Sequence, residues 1–181
     1  MRRPHAFSLI ELLIVIGIIG LLIGILLPAT AKARREARKV ACKAQLANIG
    51  AAVQMYLNEN GGWYPAAPYS PAFNPANKPL VNSFLLKHVA NVNRVFHCPA
   101  DDAYYDQYGL SYSYYEELAD RRLPQTFFFK IMRSSSKVPI LWDAENFHGG
   151  TVPYNWLFAD GHVGQFLEDK PENLIEHPEK I

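Results

Sequence analysis

The sequence predicts an α+β fold, one very long N-terminal helix followed by a small antiparallel sheet. Three observations carry this. Residues Phe7 to Leu27 form an apolar run of 21 residues. The stretch from Pro28 to Asn60 keeps apolar residues at three- and four-residue steps, the spacing of one helix face. The last third holds strand-like runs and an Asp160-Gly161 hairpin signal.

The totals set the frame. A chain of 181 residues fits one small domain plus an appendage. A net charge of +1, with 19% charged residues, gives no basic excess pointing to nucleic acid, and none is expected as a partner. Thirteen prolines indicate many loops. Two cysteines, Cys42 and Cys98, are too few for a disulfide scaffold, and their spacing matches no zinc motif. A mean hydropathy near zero averages an apolar first 27 residues with a polar remainder, so the composition itself marks a boundary.

The apolar run would span roughly 31 Å as a helix, enough to cross a bilayer. Core helices of soluble domains rarely run so long without a polar face, so this segment enters a membrane. One reading is a secretory signal cut after Ala29-Thr30-Ala31, leaving a chain that starts at Lys32. Against it, the run exceeds the usual apolar region of about 7 to 15 residues. A plain signal anchor is the second reading. The third turns on Glu11. A carboxylate in a membrane helix costs about 2.5 to 3.5 kcal/mol at mid-bilayer, less near an end, and such groups usually have a partner. This helix offers no cation three or four residues on, where Ile14 and Val15 stand.

A short basic leader, Met1 to Ala6, then Phe7-Ser8-Leu9-Ile10-Glu11 and about 20 apolar residues, resembles the type III signal of type IV pilins and type II secretion pseudopilins. The resemblance implies cleavage between Ala6 and Phe7 by prepilin peptidase and N-methylation of Phe7. It implies that Glu11 pairs with the amino terminus of a neighbouring subunit during filament assembly, and that Pro28 kinks the helix. The family prefers glycine before the cut, where this chain has Ala6, the next smallest side chain. Further implied partners are other pilin or pseudopilin subunits, an inner-membrane assembly platform and the lipid bilayer. The expected localisation is single-pass in the inner membrane, with the C-terminal domain outside the cytoplasm. Gly20 and Gly24 form a small-xxx-small pair that permits close helix approach. Lys32, Arg34, Arg35, Arg38, Lys39 and Lys43 follow the run, so charge bias alone would put the domain in the cytoplasm. The leader and Glu11 are the more specific signals and favour the outside.

After Pro28, the expected apolar stripe is Ala37, Val40 or Ala41, Ala44, Ala47, Ala51 and Met55, ending at Asn60-Gly61-Gly62. The basic residues read as a solvated helix face. In pilins such a helix packs on a small sheet, and the resemblance implies the same here. The expected organisation is a leader at 1–6, a membrane segment at 7–27, a helix continuation at 28–60, an exported domain at 61–167 and an exposed tail at 168–181.

In the outer domain, prolines 65, 68, 71, 75 and 79 predict an extended loop draped over the fold. Asn82 to Val89 predicts a short helix capped by Asn82 or Ser83. Six tyrosines between Tyr104 and Tyr115 fit an aromatic core or a contact surface. Strands are expected at Phe127 to Met132 and Val138 to Ala144, then a hairpin with a two-residue type I′ turn at Asp160-Gly161. Cys98-Pro99, Tyr112 and His148-Gly149-Gly150 leading to Asp160-Gly161 resemble a prepilin-associated domain named for an H-x9-D-G motif. Here eleven residues separate His148 from Asp160.

Catalysis has less support, because no nucleophile motif is present. Asp143, Glu145, His148, Asp160 and His162 lie within twenty residues and suit a divalent ion, zinc or calcium. The bland alternative has Asp160 making the turn, His162 pointing out and His148 bonding the loop. Cys42 and Cys98 form either a bond tying helix to domain or two buried thiols. The reading adopted is a structural filament subunit and not an enzyme. The alternative is a secreted metal-dependent hydrolase that discards residues 1–31.

Overall fold

The computed structural model describes residues 9–74, 76–149 and 154–165. The predicted leader, Phe7 and the tail 168–181 lie outside these residues. Helix α1 runs Leu9–Glu59 and continues through Pro28. The chain divides into two units, 1–37 and 38–181, and α1 contributes to both. Among the described residues, α1 is the one helix long and apolar enough to cross a membrane. Its large apolar side chains from Leu9 to Leu27 are all uncovered, which water would not tolerate over such an area and which lipid satisfies.

In the second unit α1 packs on a sheet. The stop at its end is built from Gly61, at φ 61°, and a bond from the Gly62 N–H to the Leu57 carbonyl at 2.8 Å. Beyond it come short helices α2 (Val81–Leu85), α3 (Tyr104–Tyr108) and α4 (Phe127–Met132). The strands are β1 (Tyr112–Tyr114), β2 (Pro139–Asp143), β3 (Trp156–Phe158) and β4 (Val163–Gly164). They form one antiparallel sheet in the order β1-β2-β3-β4, with Tyr112 opposite Asp143 and Leu141 opposite Leu157. One face, with Tyr112, Tyr114, Leu141 and Leu157, lies in the core with Leu46, Ile49 and Val53 of α1. The proline-rich segment covers the β1 edge. The Tyr114 N–H donates to the Tyr69 carbonyl at 2.7 Å, and the Tyr114 hydroxyl donates to the Pro65 carbonyl at 3.0 Å.

Four local expectations are corrected. The buried stripe of α1 is Cys42, Leu46, Ile49 and Val53, with Gly50 and Ala52 beside it. The alanine-rich stripe expected to pack faces out: Ala44, Ala47 and Ala51 are exposed, as are Val40 and Met55. Larger side chains bury more area per residue, so Leu, Ile and Val won the core over a longer row of alanines. Phe127 to Met132 is helix, not strand. Its Phe127 N–H donates to the Glu117 carboxylate at 2.6 Å, and Phe128 and Phe129 pack inward while Phe127 stays exposed. Adjacent aromatics that share a side suit a helix better than a pleat.

Helix α2 carries no side-chain cap, and the Asn82 amide instead donates to the Gly109 carbonyl at 3.1 Å. The β3–β4 turn is not the two-residue type I′. Gly161 donates to the Phe158 carbonyl at 2.9 Å, and Phe158 donates to the His162 carbonyl at 3.0 Å. Only Gly161 has a positive φ, 91°, so the loop is a three-residue turn whose glycine forms a bulge.

Candidate functional site

The N-terminal half of α1 places Glu11 in the first helical turn. Ala6 and Phe7, the predicted cleavage and methylation positions, lie outside the described residues. Pro28 sits inside α1, and the Thr30 hydroxyl returns a bond to the Leu27 carbonyl at 2.9 Å. Around Gly17, Gly20 and Gly24 nothing lies within 4 Å of where a Cβ would stand.

A second cluster lies inside the outer domain. Cys42 of α1 is disulfide-bonded to Cys98, with Cα atoms 5.1 Å apart, and both residues are fully buried. Cys98 is held from its own loop. Its N–H donates to the Ser111 hydroxyl at 3.0 Å, and that hydroxyl donates to Asp101 at 2.6 Å. Asp101 also accepts the N–H groups of Ala103, Tyr104 and Tyr105, so one buried carboxylate starts α3 and fixes the cysteine loop together.

His148 approaches the disulfide, with Nε2 3.6 Å from Cys98 Sγ and 3.3 Å from Asp143 Oδ2. The side chains of His148 and Asp143 are 1% and 0% exposed. Asp143 Oδ2 accepts the Asn155 backbone N–H at 2.7 Å and its amide Nδ2–H at 2.9 Å. The same amide nitrogen lies 2.9 Å from His148 Nε2, so its second N–H donates to the ring and Nε2 presents a lone pair. Three buried polar atoms here, Asp143 Oδ1, His148 Nδ1 and Asn155 Oδ1, have no hydrogen-bond partner among the described residues. Each such atom costs about 1 to 3 kcal/mol. The neighbouring Tyr112 phenol is pushed well above its ordinary value, by burial first and then by the charges of Asp143 and Asp101.

The four residues expected to share a metal do not converge. Asp143 and His148 form this buried pair, whereas Asp160 and His162 form another on the β3–β4 turn. There Asp160 Oδ1 takes the His162 N–H at 3.1 Å, and the His162 ring stacks on Phe158 at 4.4 Å. Among the described residues, the group whose ligand atoms lie within 4.8 Å of one another is Cys42, Cys98 and His148. Sequence reasoning missed Asn155 and the meeting of His148 with Cys98. No local spacing links residues fifty apart, because the sheet brings them together.

Residues 1–27 match the family described as the prokaryotic N-terminal methylation motif. No curated protein matches the chain, and no solved structure does. The motif is that of type IV pilin-like precursors, substrates of prepilin peptidase that assemble with other pilin subunits. Together with one long apolar helix it fits a single-pass inner-membrane protein.

Proposed function

We propose that this chain is a structural subunit of a type IV pilus-like or type II secretion pseudopilus filament, not an enzyme. The observation that carries the reading is the methylation motif at the head of an apolar helix with every large side chain uncovered. Prepilin peptidase cuts between Ala6 and Phe7, and Phe7 is methylated. The new ammonium then sits at the start of α1, one turn from Glu11. In lipid each charge alone is costly, while the pair is tolerated, so Glu11 of one subunit meets the Phe7 terminus of the next and sets their register. Pro28 cannot donate an N–H to the Gly24 carbonyl, which makes this the place where α1 bends in the filament. The inner-membrane assembly platform extracts the subunit from the bilayer. The Cys42–Cys98 bond supports an oxidising compartment for the outer domain, against the charge bias.

Replacing Glu11 tests this. The Glu11→Ala chain keeps its cleavage site, so we expect normal removal of residues 1–6 and retention in the membrane. Incorporation into sheared filaments should fall at least tenfold, since one unpaired charge costs on the order of 2 kcal/mol or more. Filaments containing Glu11→Ala at the parental level would overturn the reading.

A further inference from the structure

Cys42, Cys98, His148 and Asp143 converge from four places in the fold: α1, the loop before α3, the loop after β2 and the end of β2. We propose that the dithiol form of this cluster is a tetrahedral zinc site, with two thiolates, His148 Nε2 and an Asp143 oxygen as ligands. The disulfide and the metal would then be alternative staples for one junction.

The spacing fits. Zinc held at about 2.0 to 2.3 Å by nitrogen, oxygen and sulfur sets tetrahedral edges of about 3.6 Å between S and N and about 3.4 Å between N and O. The observed separations are 3.6 Å from Cys98 Sγ to His148 Nε2 and 3.3 Å from Nε2 to Asp143 Oδ2. The one edge that must change is sulfur to sulfur, from the bonded 2.01 Å to about 3.8 Å, a separation that side-chain rotation supplies. The ring is already in the ligand state, because the Asn155 amide donates to Nε2. The Asn155 backbone N–H and amide hold Asp143 from behind, as supporting bonds hold metal ligands elsewhere. The partnerless Asp143 Oδ1, His148 Nδ1 and Asn155 Oδ1 show a polar cluster that its own hydrogen bonds do not satisfy.

The chemistry balances. A dithiol or phosphine reductant delivers two electrons and two protons to the Cys42–Cys98 bond, giving two thiols and the oxidised reductant. Zinc then binds both sulfurs as thiolates, and the two thiol protons leave to buffer. In the oxidised form the sulfurs are spent in their bond to each other and are poor ligands, so oxidation and metal exclude one another.

The test uses the full chain in detergent, reduced with a phosphine under argon and titrated with cobalt(II). We expect one equivalent of cobalt to give tetrahedral visible bands and thiolate charge transfer, both bleached by zinc and both missing from the oxidised chain. His148→Ala should weaken cobalt binding at least about 100-fold, the upper end of what losing a mere supporting residue costs. Near-UV circular dichroism follows folding in parallel, and a chain loosened by reduction should regain its native spectrum when zinc is added. Three results would overturn the proposal: a weak octahedral spectrum from the reduced parent, cobalt binding unchanged by His148→Ala, or a reduced chain that zinc does not refold.

Discussion

Helix α1 contains two regions built to opposite rules. From Leu9 to Leu27 it is apolar all round, with no large side chain covered. From Cys42 to Val53 it buries a narrow row of Cys42, Leu46, Ile49 and Val53, and exposes alanines and polar groups on its other faces. The backbone geometry is the same, so the difference lies in the intended surroundings. A helix for lipid needs no polar face, whereas one for a domain surface needs exactly one apolar seam. The glycines follow suit. Gly17, Gly20 and Gly24 have open space beside them, while a Cβ at Gly50 would stand 2.8 Å from Leu157 Cδ1.

The sharpest way to break the comparison is to cut the covalent tie that only the second region has. The disulfide spans a sequence separation of 56, and closing a loop of that size stabilises by about 4 kcal/mol in the chain-entropy model. Reduction in metal-free buffer should lower the denaturant midpoint of the outer domain accordingly. An unchanged midpoint would show that the tie contributes nothing. Next come paired truncations on one helix. Leu46→Ala should cost about 2 to 5 kcal/mol of domain stability, and Leu22→Ala less than about 0.5 kcal/mol. Equal losses in urea melts of the detergent-solubilised chain would erase the distinction.

Alkaline pH should also act on the second region alone. Burial pushes Tyr64 up to about 12 and raises Tyr112 and Tyr114 well above the ordinary 10.0. These phenols keep protons in the fold that the unfolded chain loses above pH 10. Stability is therefore complete below about pH 10 and falls by on the order of 1 kcal/mol per tyrosine per pH unit above it. Melting temperatures that hold steady from pH 9 to 11.5 would contradict this. The smallest effect expected is at Gly50. An exposed helical glycine gains about 1 kcal/mol on replacement by alanine, but here the new methyl must move Leu157. Gly50→Ala should melt at or below the parent in scanning fluorimetry, and a clear gain would show that the helix–sheet contact is looser than described.

Much of this division was legible in the sequence because it rests on composition and local chemistry. The apolar run, the helix stop at Asn60-Gly61-Gly62 and the strand around Ile140 are local signals. What failed needed the tertiary partner. Counting apolar residues favoured the alanine row, and only the sheet opposite decides that Leu46 and Ile49 face it. Phe127 to Met132 has the composition of a strand, yet Glu117 and the core around Phe128 and Phe129 hold it as a helix. The candidate metal residues were right in type but were grouped by nearness in sequence. The fold instead pairs His148 with Asp143 and Cys98, and leaves Asp160 and His162 to shape a turn.

The central claim, that the first region of α1 is a retained assembly helix and not a discarded signal, is tested most directly at its first residue. Mass spectrometry of the N-terminal peptide, from protein taken from its native membrane, reads this in one measurement. The account predicts a chain beginning at N-methylated Phe7. A chain beginning at Lys32 would contradict it, since the whole apolar region and Glu11 would then be absent from the mature protein.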